Sequence, residues 1–235
     1  MGNTSSLPEP SFSETTPTFS AKLAITDKLQ MPKCAAQIPR LGFGVYKCTS
    51  SQCVALCTTA LEVGYRHIDT AQDYDNDPED GVGRAVRQSG LKRADVFITT
   101  KILAAGGNFA KSVQKCVESV QKVDGTDGYV DCFLIHSPNG GKETRAEIWQ
   151  ALEKLYEVGK AKSIGVSNFG VGHIEEMKSY ATVWPPHVNQ IQVYSASPNS
   201  RKACGHWGVA NQCVAASVVS AKRGCQLLPE ERHHR

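Results

Sequence analysis

Asp69, Tyr74, Lys101 and His136 supply a carboxylate, a phenol, an ammonium and an imidazole. These are the groups of general acid–base chemistry. Three of them close short apolar runs: His67-Ile-Asp-Thr70, Val96-Phe-Ile-Thr-Thr-Lys101 and Val130-Asp-Cys-Phe-Leu-Ile-His136. The pattern continues with Ser167-Asn168 after Ser163-Ile-Gly-Val166, and with Gln190 inside Val188-Asn-Gln-Ile-Gln-Val193. From Asp69, the steps to Lys101, His136, Ser167 and Gln190 are 32, 35, 31 and 23 residues. A strand–helix–strand unit takes about 30 residues, so each step reads as one unit. Polar groups that repeatedly follow a strand's last apolar residue mark an active site built on the ends of a parallel sheet.

The elements between them fit that reading. Ser50 or Ser51 can cap a helix running through Val63, with Val54, Cys57 and Leu61 on one face. Val113, Val117 and Val120 form a second stripe that ends at Gly125. Ile148, Leu152, Leu155 and Val158 form a third, closed by Gly159; Ile174, Met177 and Tyr180 form a fourth. Lys22 to Gln37 reads as two short strands around a turn, a hairpin that would cap one end of a barrel. Ile38 to Tyr46 reads as a first strand interrupted by glycines, which mark close backbone approach. Strands alternating with amphipathic helices imply a parallel sheet with helices outside it.

Length and charge agree. The chain has 235 residues with 40% hydrophobic content, and an α/β barrel runs about 250 residues. Net charge is +3, of which +4 falls in residues 201–235 and −1 in the rest. A nucleic-acid partner would need a basic face on the folded body, so none is expected. The nine cysteines include no C-x-x-C pair, and no apolar stretch approaches 18 residues. A cytoplasmic, reducing location with no transmembrane segment is the expectation. Residues 1–20 are rich in Ser, Thr and Pro and read as a disordered arm. Met1-Gly-Asn-Thr-Ser-Ser6 matches the pattern for N-myristoylation at Gly2, which a small polar arm also meets by chance.

Taken together, Gly-Phe-Gly-Val-Tyr46, Gly-Tyr-Arg-His-Ile-Asp-Thr-Ala71, Tyr74, Ile-Thr-Thr-Lys101, Asp-Cys-Phe-Leu-Ile-His-Ser-Pro138, Gly-Lys-Ala-Lys-Ser-Ile-Gly-Val-Ser-Asn-Phe169 and Val-Asn-Gln190 resemble the aldo-keto reductases. The likeness runs over about residues 22–194, in order and at the family's spacing. It implies an α/β fold of (α/β)8 TIM-barrel type, here incomplete, with about six of eight parallel strands and an N-terminal hairpin cap. It implies NADPH as cofactor and reduction of a small-molecule carbonyl to an alcohol, with Tyr74 as proton donor beside Asp69, Lys101 and His136. Ser167, Asn168 and Gln190 would hold the nicotinamide carboxamide. Gly44, Val45 and Asp69 would approach the cofactor; Tyr46, Tyr74 and His136 would line the substrate site. The Lys101 ammonium is expected to lower the pKa of the phenol.

After Tyr194 the sequence changes character, so residues 21–194 read as a partial barrel domain and 195–235 as an aberrant, largely irregular basic tail. Cys213 to Ala221 could make one more strand or short helix. The family's last two units hold the nicotinamide face and the adenosine 2′-phosphate. Losing two charge-assisted bonds there would weaken NADPH binding by on the order of 10² to 10⁴, with preference over NADH largely lost. An open sheet would also expose its first and sixth strands. Cys204, His206, Cys213 and Cys225 fit no zinc-finger spacing, so no metal is expected. Asn76 to Gly81 reads as a turn longer than the family's. A non-catalytic binding or regulatory module on the same scaffold and a non-functional truncated product remain alternatives, and the oligomeric state is undetermined.

Overall fold

The computed structural model describes residues 24–74, 78–192, 212–213 and 216–217. The N-terminal arm, Gly2, and the tail outside those two short strands lie outside the described residues. A hairpin comes first: β1 (Lys28–Gln30) pairs antiparallel with β2 (Gln37–Pro39), Leu29 opposite Ile38. Then follow β3 (Phe43–Gly44), α1 (Ser50–Glu62), β4 (His67–Asp69), α2 (Pro78–Gln88), β5 (Phe97–Ile102), α3 (Phe109–Asp124), β6 (Cys132–Ile135), α4 (Gly141–Glu157), β7 (Ile164–Ser167), α5 (Val171–Met177) and β8 (Asn189–Gln190). Strands β3 to β8 lie side by side in chain order, every pair parallel. They form an incomplete α/β barrel. The stretch 38–46, expected as one strand, divides between the end of the hairpin and β3.

Two further short strands, β9 (Gln212–Cys213) and β10 (Ala216–Ser217), pair antiparallel with β3 and β8 respectively. The expectation that both edge strands stand unpaired is therefore corrected. These two short strands supply rungs to both edges, which occupies backbone groups that would otherwise template another chain.

Inside the sheet, successive residues alternate between two environments. Ile68, Ile98, Ile102, Phe133, Ile135, Ile164 and Val166 face the helices and join one large buried core. The intervening positions face inward. At the N-terminal end these are Phe97, Cys132 and Leu134, which pack with Met31, Cys34 and Ile38 of the hairpin region. The hairpin thus covers the barrel floor with apolar contacts, as expected of a cap. At the other end the inward positions are Asp69, Lys101, His136 and Ser167. Strand alternation alone separates the floor from the polar layer.

Two local expectations change. Thr49, not Ser50 or Ser51, caps α1: its hydroxyl accepts from Gln52 N at 3.3 Å, and Gln52 Oε1 accepts from Thr49 N at 3.0 Å. This reciprocal pairing satisfies two amides that a serine one residue later would leave open. The stretch read as a long turn at 76–81 runs instead into α2, which starts at Pro78. Proline suits the first turn of a helix, and Glu79 and Asp80 complement its dipole. Gly81 and Gly83 let α2 seat tightly. A Cβ on Gly83 would stand 2.5 Å from the Val123 carbonyl oxygen, and one on Gly81 would stand 2.8 Å from that of Ser50.

Gly165 on β7 is the tightest point near the polar layer. A Cβ there would lie 2.5 Å from the Val188 carbonyl oxygen and 2.9 Å from Leu134 Cδ2. Gly165→Ala should therefore destabilise the fold by about 1–3 kcal/mol, the range for an overpacked site. Gly172→Ala, where the added methyl meets nothing within 4 Å, is the control. Urea unfolding of both variants checks this; equal midpoints would contradict the packing argument.

Candidate active site

The polar layer is organised around Lys101, which is only 2% exposed. An ammonium carries three donors and accepts nothing. Its Nζ donates to Asp69 Oδ1 at 2.5 Å, to the Thr70 carbonyl at 3.0 Å and to the Tyr74 hydroxyl at 3.3 Å. Each of the three donors has an acceptor. Asp69 is in turn fixed on its other oxygen by Gln190 Nε2 at 3.0 Å, and its backbone carbonyl accepts from Val45 N at 3.0 Å. Gly44 sits directly opposite Asp69 in the β3–β4 register.

The Tyr74 ring lies between two others. Tyr46 approaches with ring centroids 5.0 Å apart, and His136 meets it edge-on at 5.6 Å. Tyr46 is 39% exposed and so forms an open wall. The His136 amide donates to the Ile102 carbonyl at 2.9 Å, which seats the residue just past β6. Its Nδ1 and the Ser137 hydroxyl are buried without a hydrogen-bond partner among the described residues.

Electrostatics follow from burial. Burial pulls the Lys101 pKa down, but the Asp69 carboxylate and Tyr74 outweigh it and hold the ammonium above its ordinary value. Burial pushes the Tyr74 phenol up, and this exceeds the lowering by Lys101. The expected drop in the phenol pKa is thus corrected, because burial outweighs the field of the lysine and the Asp69 carboxylate adds to the rise. The phenol is an acid that keeps its proton. Burial and the Lys101 charge bring His136 down to about 4, so its imidazole is neutral over the physiological range.

Beside this cluster, Ser167, Asn168 and Gln190 come together at the ends of β7 and β8. Ser167 Oγ donates to the Gln190 carbonyl at 2.9 Å, Asn168 Nδ2 donates to Ser167 Oγ at 3.2 Å, and Asn168 Oδ1 accepts from Gln192 N at 3.0 Å. Asn168 has φ of 58°, a left-handed conformation that asparagine tolerates well. Gln190 Oε1 has no bond among the described residues, and Asn168 Nδ2 has a second hydrogen to give. One acceptor and one donor match the two halves of a carboxamide. The Val45 side chain is fully buried in the helix-side core, and its backbone reaches the site. The Thr70 carbonyl and Asp73 went unnoticed in the sequence; carbonyls carry no residue signal, and Asp73 looks like any loop acid. A cavity of about 380 Å³ lies at the hairpin end, lined by Lys28, Arg66, Phe97, Tyr129 and Lys162 among others. It shares no residue with the Tyr74 cluster.

The sequence model of the Aldo/keto reductase family matches residues 40–219. The chain belongs to this family. That match passes Tyr194 by 25 residues and takes in β9 and β10, so family likeness does not stop where the motifs end. An uncharacterized oxidoreductase of Schizosaccharomyces pombe is 40% identical over 161 residues, covering 67% of this chain and 55% of the relative. The chain thus spans little more than half the length of that curated relative. Among solved structures, an aldo/keto reductase from Brucella melitensis superposes with a TM-score of 0.66 at 37% identity, covering 79% of this chain and 71% of that one. A Bombyx mori aldo-keto reductase in complex with NADP gives 0.65 at 28% identity, covering 80% and 66%. Among the described residues, no helix is long and apolar enough to cross a membrane, and no three His, Cys, Asp or Glu side chains cluster to hold a metal.

Lys101→Met leaves the Asp69 carboxylate buried without its cation and should destabilise by about 3–5 kcal/mol. Combining it with Asp69→Asn should recover part of that loss, since no buried charge then remains. A double variant whose loss in urea unfolding equals the sum of the singles would show the pair to be uncoupled.

The second test is acid stability. His67 and His136 are lowered to about 4 and His187 is lowered too, each led by burial. Between pH 4 and 6.5 the unfolded chain therefore binds more protons than the folded one, and stability rises with pH across that window. It is complete above 6.5 and shrinks as pH falls toward 4. Thermal unfolding should show this slope from pH 7 to 4.5, reduced in His67→Gln; a flat profile would contradict it.

Proposed function

We propose that this chain carries the site for NADPH-dependent reduction of an aldehyde or ketone to the corresponding alcohol, with Tyr74 as the proton donor. The observation that carries this reading is the single buried Lys101 ammonium shared between Asp69 and the Tyr74 hydroxyl, with His136 against the same phenol. When bound, NADPH supplies a hydride to the carbonyl carbon. The carbonyl oxygen then gains negative charge and needs a proton. Tyr74 gives it, and the phenolate left behind accepts a hydrogen bond from Lys101, whose charge stabilises it. Asp69 holds Lys101 in place and offsets the burial of its charge. Neutral His136 has one N–H with which to orient the carbonyl oxygen. Tyr46 forms the open wall where the rest of the substrate lies.

The Ser167–Asn168–Gln190 cluster fits a carboxamide, which supports placing the nicotinamide there with Gly44 and the Val45 backbone at its edge. The residues that would hold the adenosine 2′-phosphate were expected to be missing beyond Tyr194; apart from β9 and β10, the chain beyond Gln192 lies outside the described residues. The family membership and the NADP carried by the Bombyx mori structure support NADPH over other hydride donors.

The decisive measurement is oxidation of NADPH by the purified chain with a panel of small aldehydes and ketones. Tyr74→Phe keeps the ring packing and removes the acidic proton, so reduction should fall at least ~100-fold. A Phe variant as active as the parent rules out Tyr74 as the acid. NADPH binding with no turnover on any carbonyl would favour a non-catalytic binding module instead.

A further inference from the structure

Past the last β4–β5 pair, Asp69 and Thr99, two more amides of the chain still donate to β5. Thr70 N donates to the Thr99 carbonyl at 2.9 Å, and Gln72 N donates to the Lys101 carbonyl at 2.9 Å. In a parallel pair the bonds are evenly spaced, and a residue that donates to one carbonyl accepts from the amide two positions further along. The next acceptor for Leu103 N would therefore be the Gln72 carbonyl. Leu103 N donates instead to Asp73 Oδ2 at 2.8 Å. A side-chain carboxylate takes the rung that the backbone would otherwise fill.

That substitution lets the chain leave the sheet early. The loop turns tightly, with Tyr74 N donating to the Ala71 carbonyl at 3.4 Å, and so brings the phenol back over Lys101. The other side of the loop is pinned by Gln72 Nε2, which donates to the Lys115 carbonyl on α3 at 3.0 Å. An acid on an exposed loop ordinarily faces water; this one is turned back onto a strand end. A carboxylate accepting a backbone N–H makes a charge-assisted bond, stronger than a neutral pair.

We propose that Asp73 is a positioning residue for Tyr74: its clip to Leu103 N fixes the loop that holds the phenol on Lys101. This rests on the reading of Tyr74 as proton donor. Asp73→Ala removes the clip and should lower kcat on the order of 10-fold or more, as misplacement of a reacting group does, with KM for NADPH little changed. Asp73→Asn keeps an oxygen that can accept from Leu103 N and should restore most of kcat. Amide hydrogen exchange over residues 100–106 should speed up in the Ala variant and not in the Asn variant. Unchanged kcat and exchange in Asp73→Ala overturns the proposal. Equal losses in Ala and Asn also overturn it, since the charge rather than the clip would then matter. If the parent chain reduces no carbonyl, the functional reading fails on its own, and the exchange data still decide whether Asp73 holds the loop.

Discussion

A buried cation is the constraint from which the rest of this site follows. Lys101 sits at 2% exposure on the inner face of a sheet whose neighbouring positions are apolar or small. An isolated ammonium in that environment would lose its proton or force the strands apart. It stays charged because three acceptors meet its three donors, and they come from three kinds of structure. Asp69 arrives through strand register, since β4 and β5 pair Asp69 with Thr99, one inward position before Lys101. The Thr70 carbonyl comes from the backbone just past β4, and the Tyr74 hydroxyl from a loop. The phenol therefore both completes the coordination of the cation and, on the proposed chemistry, spends its proton on the substrate. A structural requirement and a chemical one fall on the same atom.

The sheet makes such a cluster possible by separating its two ends. Alternate residues of β5 and β6 face the interior, and their character changes from Phe97 and Cys132 at the floor to Lys101 and His136 at the top. The hairpin packs on the floor, so the apolar inner surface is covered at the end where no polar group needs water. At the top, the inward positions find partners only in one another and in loops. Burial then does two opposite things there. It raises the phenol and lowers the imidazole, and both groups stay neutral side by side next to a charged pair. That division of charge is what a proton donor and a hydrogen-bond donor to a carbonyl oxygen require.

The sequence revealed those parts whose period or position carries information. Apolar runs ended by Asp69, Lys101 and His136 located β4, β5 and β6, and one-unit spacing located the parallel order. The stripe beginning at Val113 located α3, and Gly125 its end. Helix α2 was missed because its first turn, Pro78-Glu-Asp-Gly81, has the composition of a loop; its apolar face begins only at Val82 and is seated through glycines. The cap of α1 was displaced by a residue, since Thr49, Ser50 and Ser51 are equivalent until Gln52 is seen to reach back. The raised phenol was misjudged because the lysine's lowering was legible in the sequence, whereas the burial that outweighs it was not. Strands β9 and β10 are two residues each, too short for any periodicity, and their pairing is set by edges created far earlier in the chain.

Curvature is what joins these pieces into one site, and a single hydrogen bond measures it. Gln190 lies on β8 and Asp69 on β4, four strand spacings apart in the sheet order. On a flat sheet that separation would be about 19 Å, far beyond the combined reach of a glutamine and an aspartate. The observed distance between Gln190 Nε2 and Asp69 Oδ2 is 3.0 Å. The sheet must therefore curl until β8 faces β4 across the interior, and its two edges, β8 and β3, each pair with a short antiparallel strand, β10 and β9 respectively. The same bond ties the Ser167–Asn168–Gln190 cluster to the carboxylate that holds Lys101. Among the described residues, the Gln190 side chain bonds to that carboxylate and to nothing else. Curvature of the sheet, orientation of the cation and placement of Ser167, Asn168 and Gln190 thus share one contact, and a change that flattens the sheet should disturb all three together.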